Sequence, residues 1–115
     1  MIMDPEVNLD GHNIDGHSQT TTKSFEVNSV IYFECKYYDC YGILREPISP
    51  TFYVTDNSGN IEVSVVPTRT SLGIYTAQWT PTVIDDYTCT FTGTVKYDTV
   101  TVRRRFKVKK TRKII

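Results

Sequence analysis

From residue 22 onward, apolar and polar positions alternate in short runs, broken by turn residues at intervals of roughly 8–12 positions. The runs cover 22–27, 30–37, 51–56, 61–66, 73–79, 87–91 and 100–109. Each carries one apolar face: Ile31, Phe33 and Cys35; Phe52 and Val54; Ile61, Val63 and Val65; Tyr75, Ala77 and Trp79; Tyr87, Cys89 and Phe91; Val100, Val102, Phe106 and Val108. Polar partners such as Glu34, Lys36, Glu62 and Ser64 stand between them, as in strands with one face in a core and one in water. Arg104 interrupts the apolar row of the last run, which predicts a flare or bulge there. No segment keeps a 3.6-residue apolar period, so no helix is expected.

Seven short strands with turn signals between them predict an all-β chain folded as a single immunoglobulin-like β-sandwich of antiparallel strands. Residues 1–22 are polar and poor in large apolar side chains, which predicts a non-globular N-terminal arm; the sandwich takes 23–109 and a basic tail 110–115. Between the second and third runs lies DCYGILREPISP, where Gly42 permits a turn and Pro47 and Pro50 cannot donate ladder bonds, an exposed crossover loop by expectation. Asp56 to Asn60 (DNSGN) reads as a tight hairpin turn. A calcium loop would need its glycine elsewhere and a downstream Glu at a fixed position.

At 115 residues, 39% hydrophobic and with eight Tyr and five Phe, the chain suits one folded domain. No apolar run approaches the roughly 18 residues of a membrane helix, and no membrane partner is expected. The start, MIMDPEVNLDGHN, has acids where a secretion leader has bases. The net charge of zero hides an asymmetry: residues 1–102 hold thirteen acids and five bases, and 103–113 hold eight bases and no acid.

Asp85-Asp86-Tyr87-Thr88-Cys89 is the strongest local signal. A Tyr two residues before a Cys is the tyrosine corner of immunoglobulin-type sandwiches, its hydroxyl bonding back to the preceding loop. Cys35 lies 54 residues before Cys89, a spacing compatible with the inter-sheet disulfide of that fold. The competing reading takes the thiols as small buried hydrophobes, since a third, Cys40, leaves one unpaired in any scheme. The usual Trp of the third strand is missing, and Trp79 stands on the fifth run instead.

The segments DCYGILREPISP (39–50), TFYVTDNSG (51–59), GIYTAQWTP (73–81) and YTCTFTG (87–93), closing with Phe106 and Val108, form a wider frame. It resembles the immunoglobulin-like domains of tailed-bacteriophage structural proteins and of some bacterial surface proteins. Phe91 stands where that frame often has a second Trp. The resemblance spans about residues 24–109 and implies a virion component, at the head-to-tail neck, on the capsid surface or in the tail, made in the host cytoplasm. The partners it implies are portal or neck, capsid or tail subunits, and further copies of the chain itself. It fixes no binding residue, and fold alone does not give function.

The candidate partner-binding residues come from charge and aromaticity. Arg103, Arg105, Lys107, Lys109, Lys110, Arg112 and Lys113 are clustered bases that attract carboxylates and phosphates alike. An acidic remainder favours protein over nucleic acid as their partner; a solvated edge strand is the plainer alternative. Tyr38, Tyr41 and Tyr53 fall on outer positions, where Tyr gives contact area at small entropic cost. In a carbohydrate-binding or adhesion module they would be the stacking platform. The two histidines, His12 and His17, sit in an Asp-Gly-His repeat whose spacing fixes no metal geometry, and a Ser or Cys nucleophile is left without its usual general base unless the arm folds back over the domain. The expectation is a non-enzymatic chain with no cofactor and no metal.

Overall fold

The computed structural model describes residues 23–110 and, as backbone, Glu6–Leu9. Nine strands are described: β1 (Glu6–Leu9), β2 (Lys23–Glu26), β3 (Ile31–Lys36), β4 (Ile48–Thr55), β5 (Ile61–Val65), β6 (Thr68–Ser71), β7 (Ile74–Trp79), β8 (Asp85–Val95) and β9 (Asp98–Lys109). One sheet has the order β1-β3-β7-β6 and the other β2-β9-β8-β4-β5. The chain is an all-β immunoglobulin-like sandwich.

The core lies between the sheets and is largely aromatic. Phe33 of β3 packs on Phe52 of β4 (centroids 4.9 Å apart), and Phe52 packs on Phe91 of β8 at 4.8 Å. Tyr87 stacks on Phe106, and Trp79 meets Tyr87 edge-on at 5.0 Å. Trp79 on β7 therefore fills one end of the core, and Phe52 occupies the middle of β4, which needs no Trp. Ile31, Cys35, Tyr37, Val54, Val95 and Val108 belong to the same buried layer. The Tyr87 hydroxyl donates to the Val83 carbonyl at 2.6 Å, closing the tyrosine corner.

Several sequence expectations are corrected. There are two more strands than the seven expected, and one pair is not antiparallel: β2 runs parallel to β9. Glu6–Leu9, within the stretch 1–22 expected as an arm, pairs antiparallel with β3, and the rest of that stretch lies outside the described residues. The run 61–66 stays beside β4 as a hairpin partner; Ile61 and Val65 are exposed, and only Val63 packs against the core. The reason is position: β5 ends its sheet, so β4 flanks it on one side only. No bulge forms at Arg104, because β8 and β9 stay in unbroken register from Asp85↔Val108 to Val95↔Asp98. Its side chain is exposed despite its inward parity, as a long stem lets the guanidinium reach water.

The 39–50 segment is less open than expected. Asp39 has no exposure and Pro47 is buried, while Ile48, Ser49 and Pro50 already belong to β4. Pro50 falls where the β4–β8 register shifts, so its missing N–H interrupts no regular pairing. The DNSGN turn forms as a hairpin: Asp56 accepts bonds from the Ser58 and Asn60 amides, both 2.9 Å, and Gly59 has φ of 87°.

Candidate partner-binding surface

The outer face of the five-stranded sheet follows from strand alternation. On β9 the residues between the buried Val102, Phe106 and Val108 include the exposed Arg103, Arg105, Lys107 and Lys109. Beside them β8 presents Thr88, Thr90 and Thr92 on the same face, and β4 presents Thr51, Tyr53 and Thr55. The register builds transverse rows: Tyr53–Thr90–Arg103, Thr55–Thr88–Arg105 and Thr51–Thr92–Thr101. Thr90 is only 1% exposed although it lies on this outer face, flanked in register by Tyr53 and Arg103. The Thr51 and Thr92 hydroxyls bond to each other, which fixes that end of the ladder.

β-branched Thr side chains are stiff and suit a pleated surface. The result is a polar floor with a row of cations along one margin. No ion pair joins Arg103, Arg105, Lys107, Lys109 or Lys110 to an acid among the described residues. Arg112 and Lys113 lie outside the described residues, as do the two Asp-Gly-His segments. Among the described residues no group of three or more His, Cys, Asp or Glu side chains is placed to hold a metal.

The tyrosines do not assemble into one platform. Tyr53 is half-buried in mid-β4, on the face just described. Tyr38 is half-buried and Tyr41 is 77% exposed, and both belong to the β3–β4 loop at one pole of the sandwich. Three loops meet at that pole. The Tyr37 amide donates to the Gly73 carbonyl of the β6–β7 loop, and Lys96 of the β8–β9 turn lies 3.8 Å from Asp39 and over the Tyr41 ring.

Two carboxylates that the sequence reading passed over hold this pole. Asp39 accepts from the Tyr41 and Ile43 amides and from Arg45 Nε, and these bonds, the Arg45 one foremost, hold its carboxyl at about 2. Glu46 accepts from the Gly73 amide at 2.7 Å, Arg69 Nε at 3.0 Å and the Tyr75 hydroxyl at 2.8 Å, and the Gly73 bond leads in lowering its pKa. An Asp followed by alternating turn residues was the available signal for Asp39.

Cys35 and Cys89 are buried on opposite sheets and are free thiols, as is the half-buried Cys40. No bond joins Cys35 to Cys89, the pairing that the sequence left open beside the reading of small buried thiols. Burial raises the Cys35 thiol well above its ordinary range and pushes Cys89 up to about 12.

No known protein family matches the chain, and neither does any curated protein sequence. Among solved structures, the chain is similar to the crystal structure of an engineered protein, with a TM-score of 0.63 and 18% identity. The match covers 92% of this chain but 20% of that one, so the chain spans about a fifth of its length. At that identity the likeness supports the sandwich fold and nothing more.

Proposed function

We propose that this chain is a non-catalytic scaffolding domain that docks an acidic partner protein through the outer face of β9. The observation that carries the reading is the in-register row of Arg103, Arg105, Lys107 and Lys109, without ion-pair partners among the described residues and set beside a stiff threonine floor. Four cations about 6–7 Å apart along one strand face create a field that concentrates acidic surfaces and orients them. A rigid sandwich presents that row with its main chain already ordered, leaving only the side chains to be immobilised on binding.

The finer reading draws on the sequence resemblance: a structural component of a tailed-phage virion, at the neck or on the capsid surface, repeated around a ring or lattice. Its partners are then neck, capsid or tail subunits and other copies of itself. The test is a charge reversal, R103E/R105E/K107E/K109E, in the full chain. Expression alongside the neighbouring particle proteins should show loss of incorporation, with the variant folded by circular dichroism. Normal incorporation of the folded variant overturns the reading. Binding by the unaltered chain should weaken steeply with salt, and duplex DNA should not compete.

A further inference from the structure

We propose that the outer face of the four-stranded sheet carries a groove for a neutral sugar unit, held between Tyr32 and the Val65–Val66 segment. The groove is on the sheet opposite the β9 surface, and neither reading depends on the other.

Its shape follows from how β6 and β7 overlap. β6 pairs with β7 only where Thr68 to Ser71 lie along Ile74 to Thr76. The chain entering β6, Val65 to Pro67, crosses at that point from the five-stranded sheet. Beyond Thr76, among the described residues, β7 has this crossing segment beside it in place of a strand, and a cavity of about 650 Å³ opens there. That volume is within the range of about 300–1,000 Å³ that small-ligand sites occupy.

Strand register decides which side chains reach the cavity. Tyr32 on β3 stands opposite Gln78 on β7, and Glu34 stands opposite Thr76, which is itself opposite Thr68 on β6. On β3 and β7 these positions alternate with the inward Phe33 and Ala77, so they share the outer face. Paired residues have Cβ atoms about 5 Å apart, and successive rows are about 7 Å apart. All five side chains line the cavity, and Val65 and Val66 form its far wall. Tyr32 is 51% and Val66 78% exposed, so neither is consumed by the core.

The lining selects the ligand. Tyr32 and the two valines give apolar surface, Gln78 and the two threonine hydroxyls both donate and accept, and Glu34 accepts. A sugar ring has the matching halves: C–H groups on its faces, which an aromatic ring can cover, and hydroxyls that donate and accept around its rim. An alkyl chain would strip water from Gln78 and the threonines without replacing its hydrogen bonds. A phosphate or a nucleic acid meets the Glu34 carboxylate and finds no Lys, Arg or His among the described lining residues. An extended peptide is taken at a strand edge, whereas these groups stand on a sheet face.

The probe is an array of neutral oligosaccharides screened with the full chain, and the strongest binder is then titrated by amide NMR. It should bind saturably, move the amides of Tyr32, Glu34, Thr76 and Gln78, and keep its affinity when salt is raised about tenfold. Tyr32→Ala should weaken binding about tenfold, and Tyr32→Phe, which keeps the ring, should weaken it far less. Gln78→Ala, at an exposed position, should weaken it about fivefold and carries the test if Tyr32→Ala fails to fold. The R103E/R105E/K107E/K109E variant should bind the sugar unchanged, so failure of the acidic-partner reading leaves this site standing. Absence of binding across the array overturns the site. Unaltered affinity in the folded Tyr32→Ala and Gln78→Ala variants places the sugar elsewhere and overturns it too. Tighter binding of a fatty acid or a neutral peptide than of any arrayed sugar overturns the sugar occupant.

Discussion

Arg45 Nε donates a 2.8 Å hydrogen bond to Oδ2 of Asp39, a carboxylate with no exposed surface, six residues earlier in the same loop. The bond joins the two sides of the β3–β4 connection, and Lys96 adds a longer contact at 3.8 Å from the β8–β9 turn. Asp39 is thus the fixed point on which two of the pole's loops are hung. Its pKa falls from the ordinary 3.8 to about 2, the Arg45 bond being the largest cause. A carboxylate depressed by folding contributes stability above its unfolded pKa, and loses it as pH drops through the folded one. The melting temperature should therefore decline between about pH 4 and pH 2, and Asp39→Asn should lower it at pH 7 while flattening that acid limb. Parallel thermal melts across pH 2–7 check both, and an unchanged acid limb refutes the assignment.

Removing only the corner hydroxyl isolates its contribution. Tyr87→Phe keeps the ring stacked on Phe106 and against Trp79 but deletes the bond to Val83. The Val83 carbonyl is next to exposed residues, so water replaces much of the loss, and the expected destabilisation is about 1 kcal/mol. Denaturant midpoints measure it. A loss near zero would mean that the corner is held by packing alone.

The sequence makes the centre of the sandwich legible and its margins obscure. The alternation of Tyr87, Cys89 and Phe91 against Val102, Phe106 and Val108 is the signature of two long central strands, and their burial follows it. Alternation reports which face a side chain takes, not how far a strand lies from the sheet edge. Ile61 and Val65 accordingly looked inward and are exposed. Thr68–Ser71 has no apolar residue at all; its strand is defined by main-chain pairing to β7, which leaves no mark on hydropathy. Arg103 and Arg105 were visible as charge, yet their alignment with Tyr53 and the threonine floor depends on inter-strand register. Asp39 was hidden because its burial comes from loops that close over it.

Two glycines in the left-handed region should respond differently to a methyl group. Gly59 (φ 87°) has nothing within 4 Å of an added Cβ, so Gly59→Ala meets only backbone strain, about 1 kcal/mol. Gly73 (φ 71°) would bring its Cβ within 2.9 Å of the Arg45 carbonyl and 3.1 Å of the Arg45 amide. Those are main-chain atoms that cannot swing aside. Gly73→Ala should therefore cost about 2–3 kcal/mol and disturb the Glu46 bond to the Gly73 amide. Equilibrium unfolding of the two variants ranks them, and equal losses would contradict the close approach at Gly73.

Thiol chemistry separates the three cysteines by access and by ionisation. Cys89 is 1% exposed with a pKa raised to about 12, and Cys35 has no exposure, with burial driving its thiol upward. At pH 8 the Cys89 thiolate fraction is on the order of one in ten thousand, and only the thiolate attacks a disulfide reagent. Cys40 is half-buried in the β3–β4 loop and should react first. Native protein treated with an aromatic disulfide at pH 8 should thus release one equivalent of thiol promptly. The remaining two should appear only at the rate of unfolding. Denaturation without reductant should then give three equivalents in total. A total of one would mean that Cys35 and Cys89 are cross-linked between the sheets, and the sandwich would owe part of its stability to that bond instead of to its aromatic core.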